Sequence, residues 1–311
     1  MKKAATARAP ASIGNVGVGF DILGQAFGVA HDAVTAHREA QPGVRLGRVS
    51  GLVSTLPDSP DRNTALAAAA ALLRAAGDPF GVRLDIAKGV PLAAGMGGSA
   101  ASAVAAAAAV NALLDRPFAT VDLLPFALEG ERVASDPPHW DNAMASLLGG
   151  LVLAARADPP LVQRLPVPDG IVTLLFHPAV RTETKAARAL LRPEVPLALV
   201  VEHSRRVAAF VAGCAAGDAG LLRAGLDDVL VEPQRAHLLP PFGAVKQAAL
   251  DAGAIGCSFS GSGPSVFAWA FTAEADAVEQ AIADAFAAAA LPATAYRAPL
   301  LSAGVRVETA A

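Results

Sequence analysis

Aromatic side chains are scarce in this chain, at 5% of residues, so its core has to be built from Ala, Val and Leu. Cysteine is rarer still. Cys214 and Cys257 are the only two, which rules out a disulfide framework, and neither sits in a CxxC or Cys/His array of zinc spacing. Two thiols fit a reducing compartment, and the cytoplasm is the expected location. Excess positive charge is also missing: Lys+Arg number 25 against 28 Asp+Glu, a formal net charge of −3, and a general nucleic-acid binder is excluded on that balance. The N-terminal Met1-Lys2-Lys3 is basic, but Ala4 to Pro10 contains Arg8 and no apolar core, so no signal peptide is expected.

Hydrophobic residues, by contrast, reach 53% and charged residues only 17%, the composition of a chain that folds around a core. The 26 uncharged residues between Lys88 and Asp115 are the longest candidate for a membrane span. Their first ten hold Pro91 and four glycines, and the rest are mostly Ala and Ser. A span needs ~20 strongly apolar residues, so the stretch reads as a glycine loop running into a buried helix, with no membrane contact.

The 311 residues suggest about two domains. Periodicity predicts strands at Lys3–Ala9 and Ala30–Arg38 around a glycine-rich connection, a helix over Asn63–Ala76, and an alternating strand at Val82–Ala87. A buried helix at Ser99–Leu114, an amphipathic one at Val121–Ser135 and a strand at Gly149–Ala155 complete the first half. The Pro-rich stretch Asp158–Gly170 marks the boundary, giving domains 1–157 and 158–311. The second half predicts a strand at Ile171–His177, helices at Lys185–Leu191, Ala198–Ala216, Leu221–Val231 and Phe242–Ala252, strands at Ile255–Ser260 and Ser265–Ala270, a helix at Ala273–Ala289 and a strand at Thr294–Leu301. No internal repeat is present. The alternation predicts an α+β protein with two lobes.

Three glycine-rich segments carry the chemistry. The sharpest is Pro91-Leu92-Ala93-Ala94-Gly95-Met96-Gly97-Gly98-Ser99-Ala100-Ala101-Ser102. Glycines let backbone N–H groups turn towards a ligand, and a helix opening at Ser99 adds free N–H groups and the positive end of its dipole, which suit phosphate. The same residues would also make a plain glycine turn with Ser99 as N-cap. A Walker A loop is excluded because no Gly-Lys-Ser/Thr follows, and a dinucleotide fold is disfavoured because Asp115, at the right distance, follows a helix. The second segment runs from Pro10 through Ser12, Gly14, Asn15, Gly17, Phe20 and Asp21 to Gly24, and the third is Ser260-Gly261-Ser262-Gly263-Pro264-Ser265. Each alone is compatible with an ordinary turn.

Together, in this order and spacing over nearly the whole chain, the three segments resemble the motifs of the GHMP kinases. Glu131, His139-Trp140-Asp141-Asn142, Thr184 with Arg188, and Glu232-Pro233-Gln234-Arg235 resemble the homoserine kinase branch. The resemblance implies an N-terminal lobe like ribosomal protein S5 domain 2, a ferredoxin-like C-terminal lobe, and transfer of the ATP γ-phosphate to the side-chain hydroxyl of L-homoserine, a step towards threonine. It further implies that Pro91 to Ala101 hold phosphate, that Ser99 and Glu131 hold Mg²⁺, and that Asn63 and Lys88 lie near the nucleotide. Asn15, Asp21, His139, Asp141 and Asn142 would line the L-homoserine end, with Arg188 and Arg235 at the substrate carboxylate, and Thr184 beside the transferring phosphate. Asp21 is open to two roles, base for the hydroxyl or partner of the substrate ammonium, and a homodimer is common in the family. Another GHMP kinase, acting on a mevalonate-type substrate or a sugar, is the competing reading. Two positions depart from the family pattern: Gly98 replaces a serine of the phosphate loop, and Gly14 replaces an alanine.

Overall fold

A computed structural model describes residues 2–180, 182 and 184–308, with the side chains of Thr184 and Lys185 outside that description. In chain order the elements are β1 (Ala4–Gly14), β2 (Leu23–Glu39), β3 (Val44–Gly51), α1 (Thr64–Ala75), β4 (Gly81–Lys88), α2 (Gly98–Asn111), α3 (Leu124–Glu131), α4 (Trp140–Leu148), β5 (Leu151–Arg156), β6 (Leu161–Leu165) and β7 (Ile171–Pro178). There follow α5 (Thr184–Ala189), α6 (Leu197–Ala216), α7 (Ala219–Leu226), α8 (Glu232–Arg235), α9 (Phe242–Asp251), β8 (Gly256–Phe259), β9 (Val266–Phe271), α10 (Ala275–Ala288), β10 (Ala293–Pro299) and β11 (Arg306–Glu308).

The N-terminal lobe is built on a sheet ordered β11-β1-β2-β4-β3, with β5 also pairing β2, and β6 pairing β5. β4 alternates as its sequence demands, with Val82, Leu84 and Ile86 buried. The expected connection between the first two strands is shorter than its glycines suggest. β1 continues through Ala11–Gly14 and β2 begins at Leu23, with a register shift between Pro10 and Ala11. A bulge is where a proline fits inside a paired strand, since it has no N–H to give the ladder.

Helix α2 lies against β1 and β2, and every residue from Ala100 to Val110 is buried. A helix apolar on all sides belongs inside a protein, and alanine lets its neighbours come close: a Cβ on Gly130 of α3 would stand 2.5 Å from the Thr64 carbonyl oxygen and 3.0 Å from Ala103 and Ala68. No helix among the described residues is long and apolar enough to cross a membrane.

The C-terminal lobe holds a four-stranded antiparallel sheet ordered β10-β7-β9-β8. Numbered within the lobe, that is 4-1-3-2 with helices after the first and third strands, the ferredoxin-like βαββαβ arrangement. A core of Phe176, Phe242, Phe259, Ile282 and Phe286 fills the space between this sheet and α9 and α10.

Strand pairing in the larger sheet continues past 157/158. β6 (Leu161–Leu165) pairs β5, and β11, at the far end of the chain, pairs β1, so the larger sheet draws strands from both halves. In the Pro-rich stretch, proline and charge obscure the five-residue strand β6. One apolar cluster also spans both lobes and contains Phe27 with Phe210 and Trp269. Inside it, Gln25 of β2 donates to Thr173 Oγ1 at 2.8 Å and to the Leu300 carbonyl at 3.1 Å, and accepts from Trp269 Nε1 at 3.1 Å. Each such bond contributes about 1 kcal/mol net, and the buried amide would cost more if left unpaired.

Candidate active site

The three glycine segments meet. Gly261 N–H donates to the Gly14 carbonyl at 2.9 Å, Asn15 Nδ2 donates to the Gly261 carbonyl at 2.8 Å, Ser12 N–H to the Met96 carbonyl at 3.0 Å, and Ser260 Oγ to the Gly95 carbonyl at 2.6 Å. Their junction walls a cavity of about 260 Å³.

Residues Pro91 to Ser99 line it continuously. Gly95 and Gly97 have φ of +71° and +65°, and a Cβ would stand 2.4 Å from the Ser260 carbonyl oxygen at the first and 2.0 Å from Ser12 Oγ at the second. These two glycines are required. Gly98 is not in the left-handed region, and its Cβ would meet the Pro91 carbonyl oxygen at 3.3 Å, so the departure from the family serine is a mild one. Gly14 is a different matter. A Cβ there would lie 2.4 Å from Asp141 Oδ2 and 2.5 Å from Asn142 Nδ2, so its glycine accompanies a close approach of α4.

Among the lining residues Glu131, 1% exposed, closes α3. Its Oε2 accepts from Ser99 Oγ at 3.2 Å and stands 3.6 Å from His139 Nδ1, while Oε1 is buried with no partner. Burial alone would lower His139, but the adjacent Glu131 carboxylate and the charges of Asp141 and Asp21 raise it above the usual imidazole value.

Asp21, Arg188 and Arg235 also line the cavity. Asp21, at φ +59°, is held by Asn15 Oδ1, which accepts its N–H at 2.9 Å, and its carboxylate accepts from Arg188 Nη2. Arg235 is 4% exposed and donates from Nε to the Ala187 carbonyl at 3.1 Å. Burial and the neighbouring Arg188 lower its pKa. The two guanidinium carbons lie 5.3 and 5.2 Å from the centre of the Phe20 ring, within cation–π range. Helix α8, which bears Arg235, is short and depends on Asp228, whose carboxylate accepts the N–H groups of Leu230, Val231 and Glu232.

Of the expected residues Asn15, Asn63, Lys88, His139 and Asn142 line the cavity, whereas Ala100, Ala101 and Asp141 do not. The Ala100 and Ala101 side chains are buried within α2 and do not line the cavity. Asp141 is 1% exposed and sits behind Asn142, accepting the N–H groups of Asn15 and Asn142, each at 2.8 Å. Burial pushes its carboxyl up to about 6, against the opposing charge of His139. Asn142 Oδ1 accepts from Ser12 Oγ at 2.9 Å. Asn63 caps α1, accepting from Ala65 and Leu66, with its amide given to the Pro57 carbonyl. The Thr184 side chain lies outside the described residues. Phe20 and Arg62, which sequence reasoning does not single out, also line the cavity; Phe20 is one apolar residue of a glycine-rich loop, and Arg62 precedes Asn63 with no pattern of its own.

Comparison with known proteins agrees with this geometry. The family model for the GHMP kinases N terminal domain matches residues 63–150, and that for the GHMP kinases C terminal matches residues 210–288. A homoserine kinase of Xylella fastidiosa (strain 9a5c) is 47% identical over 306 residues, covering 97% of this chain and 94% of that protein. The chain belongs to the homoserine kinase family. A second relative, the homoserine kinase of Chlorobaculum tepidum, is 38% identical and covers 98% of both chains. The crystal structure of homoserine kinase from Cytophaga hutchinsonii superposes with a TM-score of 0.93 at 38% identity, covering 99% of this chain and 98% of that one. A mevalonate kinase of L. major shares the fold at a TM-score of 0.67 and 16% identity. Members of the GHMP kinases are ATP-dependent small-molecule kinases, and the cavity between the three glycine segments is where such a site would lie.

Proposed function

We infer that the chain transfers the γ-phosphoryl group of ATP to the side-chain hydroxyl of L-homoserine, giving O-phospho-L-homoserine, a step towards threonine. The observation that carries this reading is the pairing of opposite charges in the cavity wall. Among the described residues Asp21 and Glu131 are the two carboxylates that line it, and Asp21 faces Arg188 and Arg235. An amino acid presents an ammonium and a carboxylate together, and this set offers a charge-assisted partner to each. A sugar would leave the arginines without a carboxylate, and a mevalonate-type substrate would leave Asp21 without a cation. The 47% identity to a homoserine kinase, against 16% to a mevalonate kinase, points the same way.

Phosphoryl transfer asks a protein for positioning and charge neutralisation rather than covalent chemistry. The amides of the loop before α2, with the first free N–H groups of that helix, receive phosphate oxygens. Ser99 and Glu131 are hard oxygen donors, and the unpartnered Glu131 Oε1 fits a cation ligand. They would hold Mg²⁺, which supplies neutralisation of the β- and γ-phosphate charge. The carboxylates of Glu131, Asp141 and Asp21 favour the protonated form of His139, which stands beside Glu131. Arg188 and Arg235 fix the substrate carboxylate, and Asp21 receives the ammonium, which aims the side-chain hydroxyl away from these ionic groups and towards the loop.

The reading also places the protein in the cytoplasm, supported by two thiols that are free and buried, each pushed up to about 12 by that burial. The resemblance carries a homodimer, which sedimentation would test. Coupled measurement of ADP release with L-homoserine, mevalonate and galactose tests the substrate assignment. Turnover with L-homoserine alone is expected, and turnover with mevalonate or galactose alone would replace the assignment.

A further inference from the structure

Asp32, in β2, is 0% exposed and lines no part of the cavity, yet it is bound to both ends of the phosphate loop. Its Oδ1 accepts the N–H groups of Gly89 and Val90, each at 3.0 Å. Its Oδ2 accepts from Ser102 Oγ at 2.6 Å and forms an ion pair with Lys88 Nζ. Lys88 is 3% exposed, and its ammonium also donates to the Gly98 carbonyl at 2.8 Å and to Ser102 Oγ at 2.9 Å.

A carboxylate has about four acceptor sites and an ammonium three protons. Here all of them are used within the protein. Gly89 and Val90 stand immediately before Pro91, Gly98 immediately follows Gly97, and Ser102 lies one turn further into α2. The seven residues between Val90 and Gly98, 91–97, all line the cavity. A buried ion pair is a poor source of stability, because desolvation offsets its attraction. A fully satisfied buried network does, however, fix one geometry. Lys88 is also left with no proton for a nucleotide without giving up one of these bonds.

We propose that Asp32 and Lys88 are positioning residues: a single buried carboxylate–ammonium pair that pins both ends of the phosphate loop, so that its amides and Ser99 are arranged before ATP arrives. This rests on the kinase reading above. Order present before binding does not have to be imposed by the ligand, and affinity rises accordingly. The network makes no contact with Asp21, Arg188 or Arg235, so its effect is confined to the nucleotide.

The test compares the wild type with Ser102→Ala, which removes the hydroxyl bridging the pair, and with the double variant Asp32→Asn/Lys88→Met, which removes both charges and strands neither. Calorimetric titration with ADP, the KM values for ATP and L-homoserine, and amide hydrogen exchange over residues 91–97 are read in each. ADP Kd is expected to rise about tenfold in Ser102→Ala and about 100-fold in the double variant, the scale of one and of several charge-assisted hydrogen bonds. Exchange of the loop amides is expected to accelerate, with the L-homoserine KM within about twofold of wild type. ADP affinity and loop exchange that match wild type in both folded variants would overturn the proposal, as would parallel rises of the two KM values. Failure of the wild type to bind ADP would instead remove the kinase reading, and the exchange rates would still decide whether the pair pins the loop.

Discussion

Arg188 of α5 and Asp21 of the β1–β2 loop are joined in an ion pair in the cavity wall. On the proposed reading, the carboxylate of L-homoserine would take over the guanidinium and its ammonium the aspartate, so that the protein would exchange one internal ion pair for two to the ligand.

Arg188→Ala and Arg235→Ala should therefore each lower kcat/KM for L-homoserine by about 10- to 100-fold, the equivalent of a charge-assisted bond. The change should fall on the L-homoserine KM, because the carboxylate keeps its charge through the transfer, and the KM for ATP should move little. Lysine at either position should recover only part, since it lacks the planar fork. 3-Aminopropanol, which has no carboxylate, should be a poor substrate of the wild type and scarcely poorer for the variants. Steady-state kinetics on the four variants check this.

Glu131→Gln should separate stability from activity. Glu131 is buried with Oε1 unpartnered, so a neutral amide of the same shape removes the cost of a buried charge. A higher Tm in magnesium-free buffer is expected, by a few degrees, together with a kcat lower by about 100-fold or more. Thermal melts and ADP release read the two effects.

The loop glycines should differ sharply. Gly97→Ala places a Cβ where Ser12 Oγ stands, at a positive φ, and should abolish measurable ATP binding. Gly98→Ser meets only a 3.3 Å contact with the Pro91 carbonyl oxygen, at an ordinary φ. It should remain active, with an ATP KM equal to or below that of the wild type, because it restores the family hydroxyl.

Asp141 predicts a pH dependence. Its carboxyl, raised by burial to about 6 from an ordinary 3.8, holds a proton in the native state that the unfolded chain has already lost. Between those two values stability falls as pH rises. Asparagine does not titrate, so the stability of the wild type relative to Asp141→Asn should decrease by about 3 kcal/mol from pH 3.5 to pH 7. Urea unfolding of both proteins at several pH values measures the difference, and a constant difference would show that Asp141 is not raised.

Much of this was legible in the chain. The alanine run after Ser99 could be nothing but a buried helix, and the strict alternation of Val82, Leu84 and Ile86 named a strand. The glycine segments gave the cavity walls because few other residues permit their backbone geometry. What was missed depended on distant partners. Asp32 lies in a strand between His31 and Ala33, where one acidic residue reads as solvent-facing; its partner Lys88 lies 56 residues away in the chain. β3, β6 and α4 were too short, or too interrupted by Gly, Pro and charge, to show a period. Phe20 reads as one apolar residue in a loop until Arg188 and Arg235 are brought to it from the other lobe.

The most direct test of the central claim is a ³¹P NMR time course of the purified protein with MgATP and L-homoserine. The account predicts that the γ-phosphate signal is replaced one-for-one by a phosphomonoester on the L-homoserine side-chain oxygen, and that both changes vanish when L-homoserine is omitted. Loss of the γ-phosphate to inorganic phosphate alone, or no reaction with L-homoserine, would contradict it.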